Sequence, residues 1–245
     1  MKWARFRLGT ESRVRQGTVD GSWIRDEGGA WPLDEVVLLA PCVPTKIVCV
    51  GRNYAAHAAE LGHEVPTNPL LFLKPPSAVI GPEEAIVLPH SSTVHHEAEL
   101  AVVIGRPCRR VKAADVRDVI FGYTCLNDVS DRDAQQWEKS WVRAKAFDTS
   151  APIGPVIVTP DEIDGPFHVV LRVNGETRQD GQTDAFIFPI PVLIETISAI
   201  MTLEAGDVIA TGTPAGVGPL VAGDIVEVEI DGIGVLRNPV RGPTP

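Results

Sequence analysis

Two glutamates separated by one residue, Glu97 and Glu99, lie in the segment HHEAELAVVIG. The apolar residues of this segment predict a β-strand, in which side chains two apart point to the same face, so both carboxylates are expected to project together. Adjacent carboxylates repel each other or share a proton unless a cation joins them, and hard divalent cations prefer oxygen ligands. Taken alone, the pair is also typical of the solvent face of a strand.

A third acidic residue strengthens the case for a metal site. Asp128 ends the apolar segment VIFGYTCLND, ahead of a polar loop, where its carboxylate can complete a three-oxygen site. We therefore predict that Glu97, Glu99 and Asp128 hold a divalent metal ion. His95 would share their face if the strand extends that far, which would give a mixed nitrogen-oxygen site closer to zinc or iron chemistry. We favour instead a histidine hydrogen-bonded beside a ligand.

A histidine and a glutamate form a candidate acid-base pair. His57 and Glu60 are three residues apart in NYAAHAAELG, an Ala-rich segment that predicts a helix capped by Asn53 and ended by Gly62. Side chains at this spacing meet on one helix face, so the glutamate can orient the imidazole or take up its proton. Such pairs also occur as plain surface contacts. The flanking glycines favour a mobile lid that carries a base over the metal.

The overall composition excludes several classes of protein. Lys and Arg total 22 against 32 for Asp and Glu, a formal net charge of −10, so nucleic acid is not expected as a partner. No segment approaches the roughly 20 apolar residues that span a bilayer, and the first residues lack the apolar stretch of a signal peptide. We predict a cytoplasmic protein without a membrane partner. Widely spaced cysteines predict buried free thiols at Cys42, Cys49, Cys108 and Cys125.

The pattern of apolar residues predicts a fold of the α+β class that is mostly β. Residues 1–44 contain short strands with turns and form the predicted small N-terminal domain, while residues 45–245 form the catalytic domain. Two tight hairpins are predicted, at Asn174-Gly175 and at Asp231-Gly232. The segment FPIPVLIETISAIMTLEAGD has helical spacing and is predicted to end at Gly206.

Six motifs in order give the chain a family resemblance: GRNYAAHAAELG, HHEAEL, LNDVSDRDAQ, KAFDTSAPIGP, VNGETRQDG and ATGTPAGVG. From about Lys46 to the C-terminus, the chain resembles the fumarylacetoacetate hydrolase family, in particular its acylpyruvate hydrolase and oxaloacetate decarboxylase-like branch. The resemblance implies a mixed β-roll catalytic domain behind a small N-terminal β domain, a homodimer, and Mg²⁺ or Mn²⁺ at the active site.

The resemblance also implies roles for individual residues. Glu97, Glu99 and Asp128 would be the metal ligands, His57 and Glu60 the base dyad, and Lys145 the cation on the substrate side. The residues that would line the pocket are Arg52, Tyr54, Arg132, Gln135 and Thr213. The structural alternatives are a surface salt bridge for either arginine, core packing for Tyr54, exposure for Gln135 and turn capping for Thr213.

Two segments depart from the family pattern. The loop after the third carboxylate is VSDRDAQ, in which Asp131 adds a charge near the site, and GQTDAFIF replaces a commoner polar pattern. Both departures bear on the shape of the pocket, and therefore on the identity of the substrate.

The implied reaction breaks a carbon-carbon bond next to a keto group through a metal-stabilised enolate. The substrate would be a 2-oxo acid, in acylpyruvate or fumarylpyruvate-type hydrolysis, with oxaloacetate decarboxylation as a second reaction of the same site. One alternative is a 2-hydroxyhepta-2,4-diene-1,7-dioate isomerase or 5-oxopent-3-ene-1,2,5-tricarboxylate decarboxylase-type enzyme of aromatic meta-cleavage, for which Arg132 would bind a second carboxylate. Another is a catalytically silent scaffold that binds a small acid. A serine hydrolase is disfavoured because no GxSxG turn is present.

Overall fold

A computed structural model describes residues 1–91 and 93–243 of the chain. It is mostly β, as predicted, with short helices between strands. The strands are β1 Lys2–Leu8, β2 Arg15–Asp20, β3 Trp23–Asp26, β4 Gly29–Pro32, β5 Val36–Leu39, β6 Ile47–Gly51, β7 Leu70–Lys74, β8 Val79–Ile80, β9 Ile86–Val87, β10 Val94–His95, β11 Ala98–Ile104, β12 Ile120–Asn127, β13 Ser130–Asp131, β14 Ala151–Val158, β15 His168–Val173, β16 Glu176–Gln182, β17 Val208–Ala210, β18 Ile225–Ile230 and β19 Gly234–Arg241. The α-helices are α1 Ala55–Glu60, α2 Arg132–Trp137, α3 Val142–Lys145 and α4 Ile190–Ile200. Short 3₁₀ helices lie at Leu33–Glu35, Pro76–Ala78, Ala113–Val119 and Thr183–Ala185.

Most strands belong to two sheets. The larger has twelve strands in the order β4-β3-β2-β1-β14-β12-β11-β17-β6-β7, with β5 added to β1 and β8 to β14. The smaller has five strands in the order β16-β15-β18-β19-β9, and β10 pairs separately with β13. Within residues 1–91 and 93–243, no helix is long and apolar enough to cross a membrane.

The centre of the larger sheet is buried on both faces. Leu100 and Val102 of β11 belong to a core cluster that also contains residues of the smaller sheet and of α4, while Ala101 and Val103 belong to a second cluster with Ile47 of β6. Alternate residues of β11 therefore contact different cores, as the two-residue repeat of a strand requires. Glu99 has the same alternation as Ala101 and Val103, so its side chain points to the side of the second cluster, away from Leu100.

The N-terminal strands join the larger sheet directly. Lys2 and Trp3 of β1 pair antiparallel with Val158 and Ile157 of β14. The boundary near residue 44 stays a prediction, since β1 to β5 are continuous with the sheet that carries the remaining strands.

Several predicted elements are confirmed. The hairpin between β15 and β16 turns at Asn174 and Gly175, both with positive φ, and β18 and β19 are joined by the turn that begins at Asp231-Gly232. All four cysteines are free thiols, although Cys108 is only half-buried. Burial raises the pKa of Cys42 to about 12.

Three local predictions are wrong. The strand predicted through HHEAEL is interrupted between β10 and β11, because the backbone N–H of His96 donates to the carbonyl of Gly218. Asn53 does not cap α1, since its side-chain amide bonds the backbone of Phe188 and Thr211 instead. Helix α4 ends at Ile200 rather than near Gly206, and Leu203 pairs with Cys108 in an isolated β-bridge.

Asp207 ties the start of β6 to the start of β17. Its carboxylate accepts hydrogen bonds from the backbone N–H groups of Thr45 (2.9 Å), Lys46 (3.1 Å) and Glu204 (2.8 Å), and it forms an ion pair with the Lys46 ammonium. Burial alone would raise the pKa of Asp207, but these hydrogen bonds lower it below its usual value.

We expect Asp207→Asn to lower the free energy of unfolding at pH 7 by about 1–3 kcal/mol, because the charged acceptor is lost from a buried network. The lowered pKa adds stability that is present above the unfolded-state pKa of about 3.9 and is lost as pH falls through the folded-state pKa, so the difference should shrink near pH 3. Urea unfolding at both pH values measures it. Asp20→Asn, on an exposed side chain, is the matched control, and equal stability loss in both variants would contradict the assignment.

Candidate metal centre and active site

Two neighbouring strands bring the three predicted carboxylates together. Glu97 precedes β11, Glu99 lies in it, and Asp128 directly follows β12, which pairs antiparallel with β11. The backbone N–H of Glu97 donates to the Asn127 side-chain oxygen (3.0 Å), and the N–H of Asp128 donates to the Glu97 carbonyl (2.8 Å). Each carboxylate offers one oxygen within 4.8 Å of the others, and all three side chains are buried.

Cations surround these carboxylates. The Lys145 ammonium, at the end of α3, donates to Glu97 Oε2 (2.7 Å), to Asp128 Oδ2 (2.7 Å) and to the Ser130 hydroxyl (2.5 Å). Arg132, the first residue of α2, donates to Glu97 Oε1 (2.5 Å) and to the Gln135 side chain (2.8 Å). Arg132 is therefore engaged by a carboxylate of the protein.

Lys74 is a second lysine at Asp128 that the sequence analysis did not identify. Its ammonium is fully buried, lies 2.9 Å from Asp128 Oδ1, and donates to the carbonyls of Val129 (3.2 Å), Lys145 (2.6 Å) and Ser150 (2.8 Å). Burial lowers the pKa of Lys74. The only signal in the sequence is a lysine that ends the apolar strand LLFLK, directly before two prolines.

The electrostatics of the cluster fit a hard divalent cation. Burial, and then the charges of Asp128 and Glu97, raise the pKa of Glu99 well above its usual value. Burial alone would also raise the pKa of Glu97, but the charges of Lys145 and Arg132 lower it instead. Buried carboxylate oxygens that repel one another match the ligand preference of Mg²⁺ or Mn²⁺. Among the described residues, this cluster contains no histidine, so a mixed site with His95 is not supported.

The two residues of the predicted base dyad, His57 and Glu60, contact each other on α1. The Nδ1 atom of buried His57 lies 3.1 Å from Glu60 Oε2, and the other oxygen of Glu60 accepts the backbone N–H of Gly216 (2.9 Å). Because Nδ1 is engaged by the glutamate, Nε2 is the nitrogen available for proton transfer. His57 lines the same cavity as the three carboxylates.

That cavity has a volume of about 630 Å³. It contains predicted site residues and several aromatic and imidazole side chains that were not predicted. The lining residues are Val50, Gly51, Arg52, His57, Leu61, His63, Phe72, Thr93, His95, Glu97, Glu99, Asp128, Arg132, Gln135, Gln136, Trp141, Lys145 and Thr213.

Four of the five predicted pocket residues line this cavity: Arg52, Arg132, Gln135 and Thr213. Tyr54 does not line it, because the ring is buried and packs edge-on against Phe186 at a centroid distance of 5.0 Å. The core-packing alternative therefore describes Tyr54.

Asp131, the extra charge in the departing loop, is directed into the protein. Its carboxylate caps α2 by accepting the N–H of Ala134 (3.0 Å), and it also accepts the hydroxyl of Ser91 (2.8 Å). This acid therefore does not add to the lining of the cavity.

Gln179 of β16 was also missed. Its amide accepts hydrogen bonds from the backbone N–H of Ala98 (3.0 Å) and from the His96 ring (3.0 Å), and it donates to the Thr213 hydroxyl (2.7 Å). The motif VNGETRQDG contains the residue, but its partners lie 34 to 83 positions away, so local spacing carries no signal of them.

Fold and site together place three buried carboxylates, a group that could hold a metal ion, in one cavity with a histidine-glutamate pair. The family model described as fumarylacetoacetate (FAA) hydrolase C-terminal matches residues 46–241. The chain therefore belongs to the fumarylacetoacetate hydrolase family, as predicted, and the alternative of a silent scaffold is set aside.

Similar proteins within the family carry several reaction names. Oxaloacetate tautomerase YisK of Bacillus subtilis is 46% identical over 233 residues, and the alignment covers 88% of this chain and 77% of the Bacillus subtilis chain. The 5-carboxymethyl-2-hydroxymuconate delta-isomerase of Mycobacterium smegmatis has a TM-score of 0.91 at 44% identity, with 100% of both chains covered. Maleylpyruvate hydrolase of Sphingobium sp. SYK-6, solved with manganese(II) and pyruvate, has a TM-score of 0.85 at 36% identity, again with 100% of both chains covered.

We expect Glu99→Gln to weaken Mn²⁺ binding, because one charged oxygen ligand is lost. The loss of affinity should exceed the roughly 10–100-fold that is typical when a residue hydrogen-bonded to a metal ligand is mutated. The melting temperature of the metal-free protein should not fall, since the substitution removes one of three mutually repelling charges. Calorimetric titration and thermal unfolding measure these effects, with exposed Glu27→Ala as the control. Unchanged Mn²⁺ affinity in Glu99→Gln would exclude this residue as a ligand.

Proposed function

We propose that the protein is a Mg²⁺- or Mn²⁺-dependent enzyme that cleaves a carbon-carbon bond in a 2-oxo acid, by acylpyruvate or fumarylpyruvate-type hydrolysis. The observation that carries this proposal is the presence of a histidine-glutamate base and a buried three-carboxylate cluster in one cavity. The family membership and the relative solved with manganese and pyruvate support it.

Glu97, Glu99 and Asp128 would hold the cation. When bound, the cation supplies Lewis-acid stabilisation of negative charge on a keto oxygen, which cleavage next to a ketone requires. The ammonium of Lys145, already between two of these carboxylates, adds positive charge beside the substrate and makes the site tolerant of an anion.

His57 would act as the base. Its Nε2 takes a proton from water, and the resulting hydroxide attacks the acyl carbonyl while Glu60 stabilises the imidazolium. The bond between the acyl carbon and the pyruvate methylene then breaks, and the pyruvate enolate takes up at carbon the proton that His57 removed from water. The acid product gives its own proton to solvent and leaves as a carboxylate. Decarboxylation of oxaloacetate in the same cavity needs no attack by water.

Two other reactions of 2-oxo or 2-hydroxy diacids remain candidates for the same cavity. Oxaloacetate tautomerisation is supported by the name of the Bacillus subtilis relative and by a base placed to move a proton. The meta-cleavage isomerase or decarboxylase is supported by the Mycobacterium smegmatis structure. The second carboxylate of such a diacid would bind Arg52 rather than Arg132, because Arg132 is paired with Glu97 whereas Arg52 has no ion-pair partner among the described residues.

We also propose that the enzyme works as a homodimer in the cytoplasm, as the family resemblance and the composition led us to expect. Light scattering coupled to size-exclusion chromatography measures the assembly, and a mass equal to one chain would contradict it.

We expect the purified protein to release pyruvate from acetylpyruvate with Mg²⁺ or Mn²⁺ and to lose this activity in EDTA. Diketone absorbance and coupled pyruvate detection measure the reaction. A parallel assay with oxaloacetate, following the enol absorbance and carbon dioxide release, distinguishes tautomerisation from decarboxylation. If none of these compounds reacts with either metal, the acylpyruvase proposal fails, and meta-cleavage diacids are the remaining substrates to assay.

We expect His57→Ala to reduce acetylpyruvate hydrolysis by at least the 10²–10⁴-fold that general base catalysis typically contributes, while sparing much of any oxaloacetate decarboxylation. The ratio of the two rates at saturating metal is the measurement. His90→Ala, on an exposed histidine outside the cavity, is the control. Equal loss of both activities in His57→Ala would refute water activation by this residue.

A further inference from the structure

The side chain of Gln179 is buried although most of its strand is exposed. Its immediate neighbours in β16, Arg178 and Asp180, face solvent, whereas Gln179 is 1% exposed. A primary amide has two acceptor positions on oxygen and two donor hydrogens on nitrogen, and burial requires that they be paired. All four are paired here.

The orientation of this amide is determined by the backbone. Oε1 lies 3.0 Å from the backbone nitrogen of Ala98, which can only donate, and Nε2 lies 2.8 Å from the carbonyl oxygen of Pro214, which can only accept. If the nitrogen and oxygen of the amide exchanged places, the NH₂ group would face the Ala98 N–H and the oxygen would face the Pro214 carbonyl. The second hydrogen on Nε2 must therefore be donated to the remaining neighbour, the hydroxyl oxygen of Thr213 at 2.7 Å.

This contact determines where the hydrogen of the Thr213 hydroxyl can point. Because the oxygen already accepts from Gln179, its hydrogen is directed elsewhere, and the hydroxyl makes no second hydrogen bond within the described part of the chain. Thr213 lines the cavity, and the preceding residue, Gly212, donates its backbone N–H to Glu99 Oε2 (2.7 Å). The unused hydrogen is thus available to a ligand oxygen next to the carboxylate cluster.

The other side of the amide contacts the metal-ligand strand. Ala98 lies between Glu97 and Glu99, so the oxygen of Gln179 supports the backbone that carries both carboxylates. The same oxygen accepts Nδ1–H of His96 at 3.0 Å. One side chain of the smaller sheet therefore joins the ligand strand to the cavity wall at Thr213.

We propose that Gln179 is a positioning residue that makes Thr213 an obligate hydrogen-bond donor to an anionic oxygen of the bound substrate. The proposal rests on the proposed function in one respect, that the substrate is a 2-oxo acid with carboxylate and keto oxygens. The contacts of the amide itself do not depend on which reaction follows. A purely structural amide would support the strand without setting the direction of the Thr213 hydrogen.

Binding of oxalate, an unreactive chelating diacid, tests whether the Thr213 hydroxyl donates its hydrogen to the ligand. In Gln179→Glu, the oxygen that replaces Nε2 loses the hydrogen bond to the Pro214 carbonyl, and as an ionised carboxylate it can only accept from the Thr213 hydroxyl, which draws that hydrogen away from the cavity. We expect the Kd of oxalate for the Mn²⁺-loaded protein to rise by roughly ten- to a hundredfold in Thr213→Val and at least as much in Gln179→Glu, as for a lost hydrogen bond to a charged group. In Gln179→Met, the side chain offers no strong acceptor, so the Thr213 hydroxyl can still donate to the ligand. The loss of oxalate affinity should therefore be several-fold smaller in this variant.

Calorimetry of these variants, each first titrated with Mn²⁺, separates support of the metal site from direction of the hydroxyl. Adding Gln179→Glu to Thr213→Val should cause little further loss of oxalate affinity, because the affected group is already gone. Thr177→Val, on an exposed threonine of the same strand, is the control. Additive losses, or equal losses in Gln179→Met and Gln179→Glu, would overturn the proposal.

A second measurement needs neither a foldable Gln179→Glu variant nor a substrate. In ¹⁵N-labelled, Mg²⁺-loaded protein, Thr213→Val should shift one of the two side-chain amide proton resonances of Gln179 and leave the proton that faces Pro214 in place. Unchanged resonances would contradict the Gln179 to Thr213 hydrogen bond. If the resonance shifts but wild type does not bind oxalate, the proposed function fails while the placement of the hydrogen stands.

Discussion

Mutual repulsion of three buried carboxylates is the constraint around which the centre of this protein is arranged. Glu97, Glu99 and Asp128 lie too close together to remain charged without compensation, and the protein supplies cations from separate parts of the chain. Lys145 and Arg132 approach from the cavity, whereas Lys74 contacts Asp128 from the interior. Removing one of these cations would leave a buried carboxylate charge uncompensated, so the protein depends on all three of them.

The sheets bring the carboxylates, the histidine and the cavity wall together because these side chains lie at or near the ends of neighbouring elements. Glu97, Glu99 and Asp128 lie where β11 begins and β12 ends, His57 is on the short helix after β6, and Thr213 of the cavity wall follows β17. These strands are neighbours in the larger sheet, while Gln179 reaches the same point from the smaller one. Rigid strands hold the carboxylates, and His57 is carried on a helix of six residues that depends on tertiary contacts such as Glu60 to Gly216.

Sequence patterns predicted the parts of the site that depend on local spacing. The strand spacing correctly predicted that Glu97 and Glu99 lie close together, although Glu97 lies just before β11, and the helical spacing of His57 and Glu60 correctly predicted their contact. Lys74 and Gln179 were missed because their partners are far away in the chain and an isolated lysine or glutamine carries no periodic signal. The prediction that Asn53 caps α1 was wrong for a related reason, because its amide donates to backbone carbonyls of distant segments instead of capping the helix.

The pairing of β1 with β14 has a consequence for the solubility of the chain. On the side away from β12, β14 is covered by β1 at Val158 and Ile157, and by β8 at Ala151 and Pro152. A chain shortened to the region that the family model matches would leave the apolar end of β14 as an open sheet edge, which is a template for uncontrolled association. The N-terminal strands therefore also protect the protein from aggregation, whatever they contribute to the cavity.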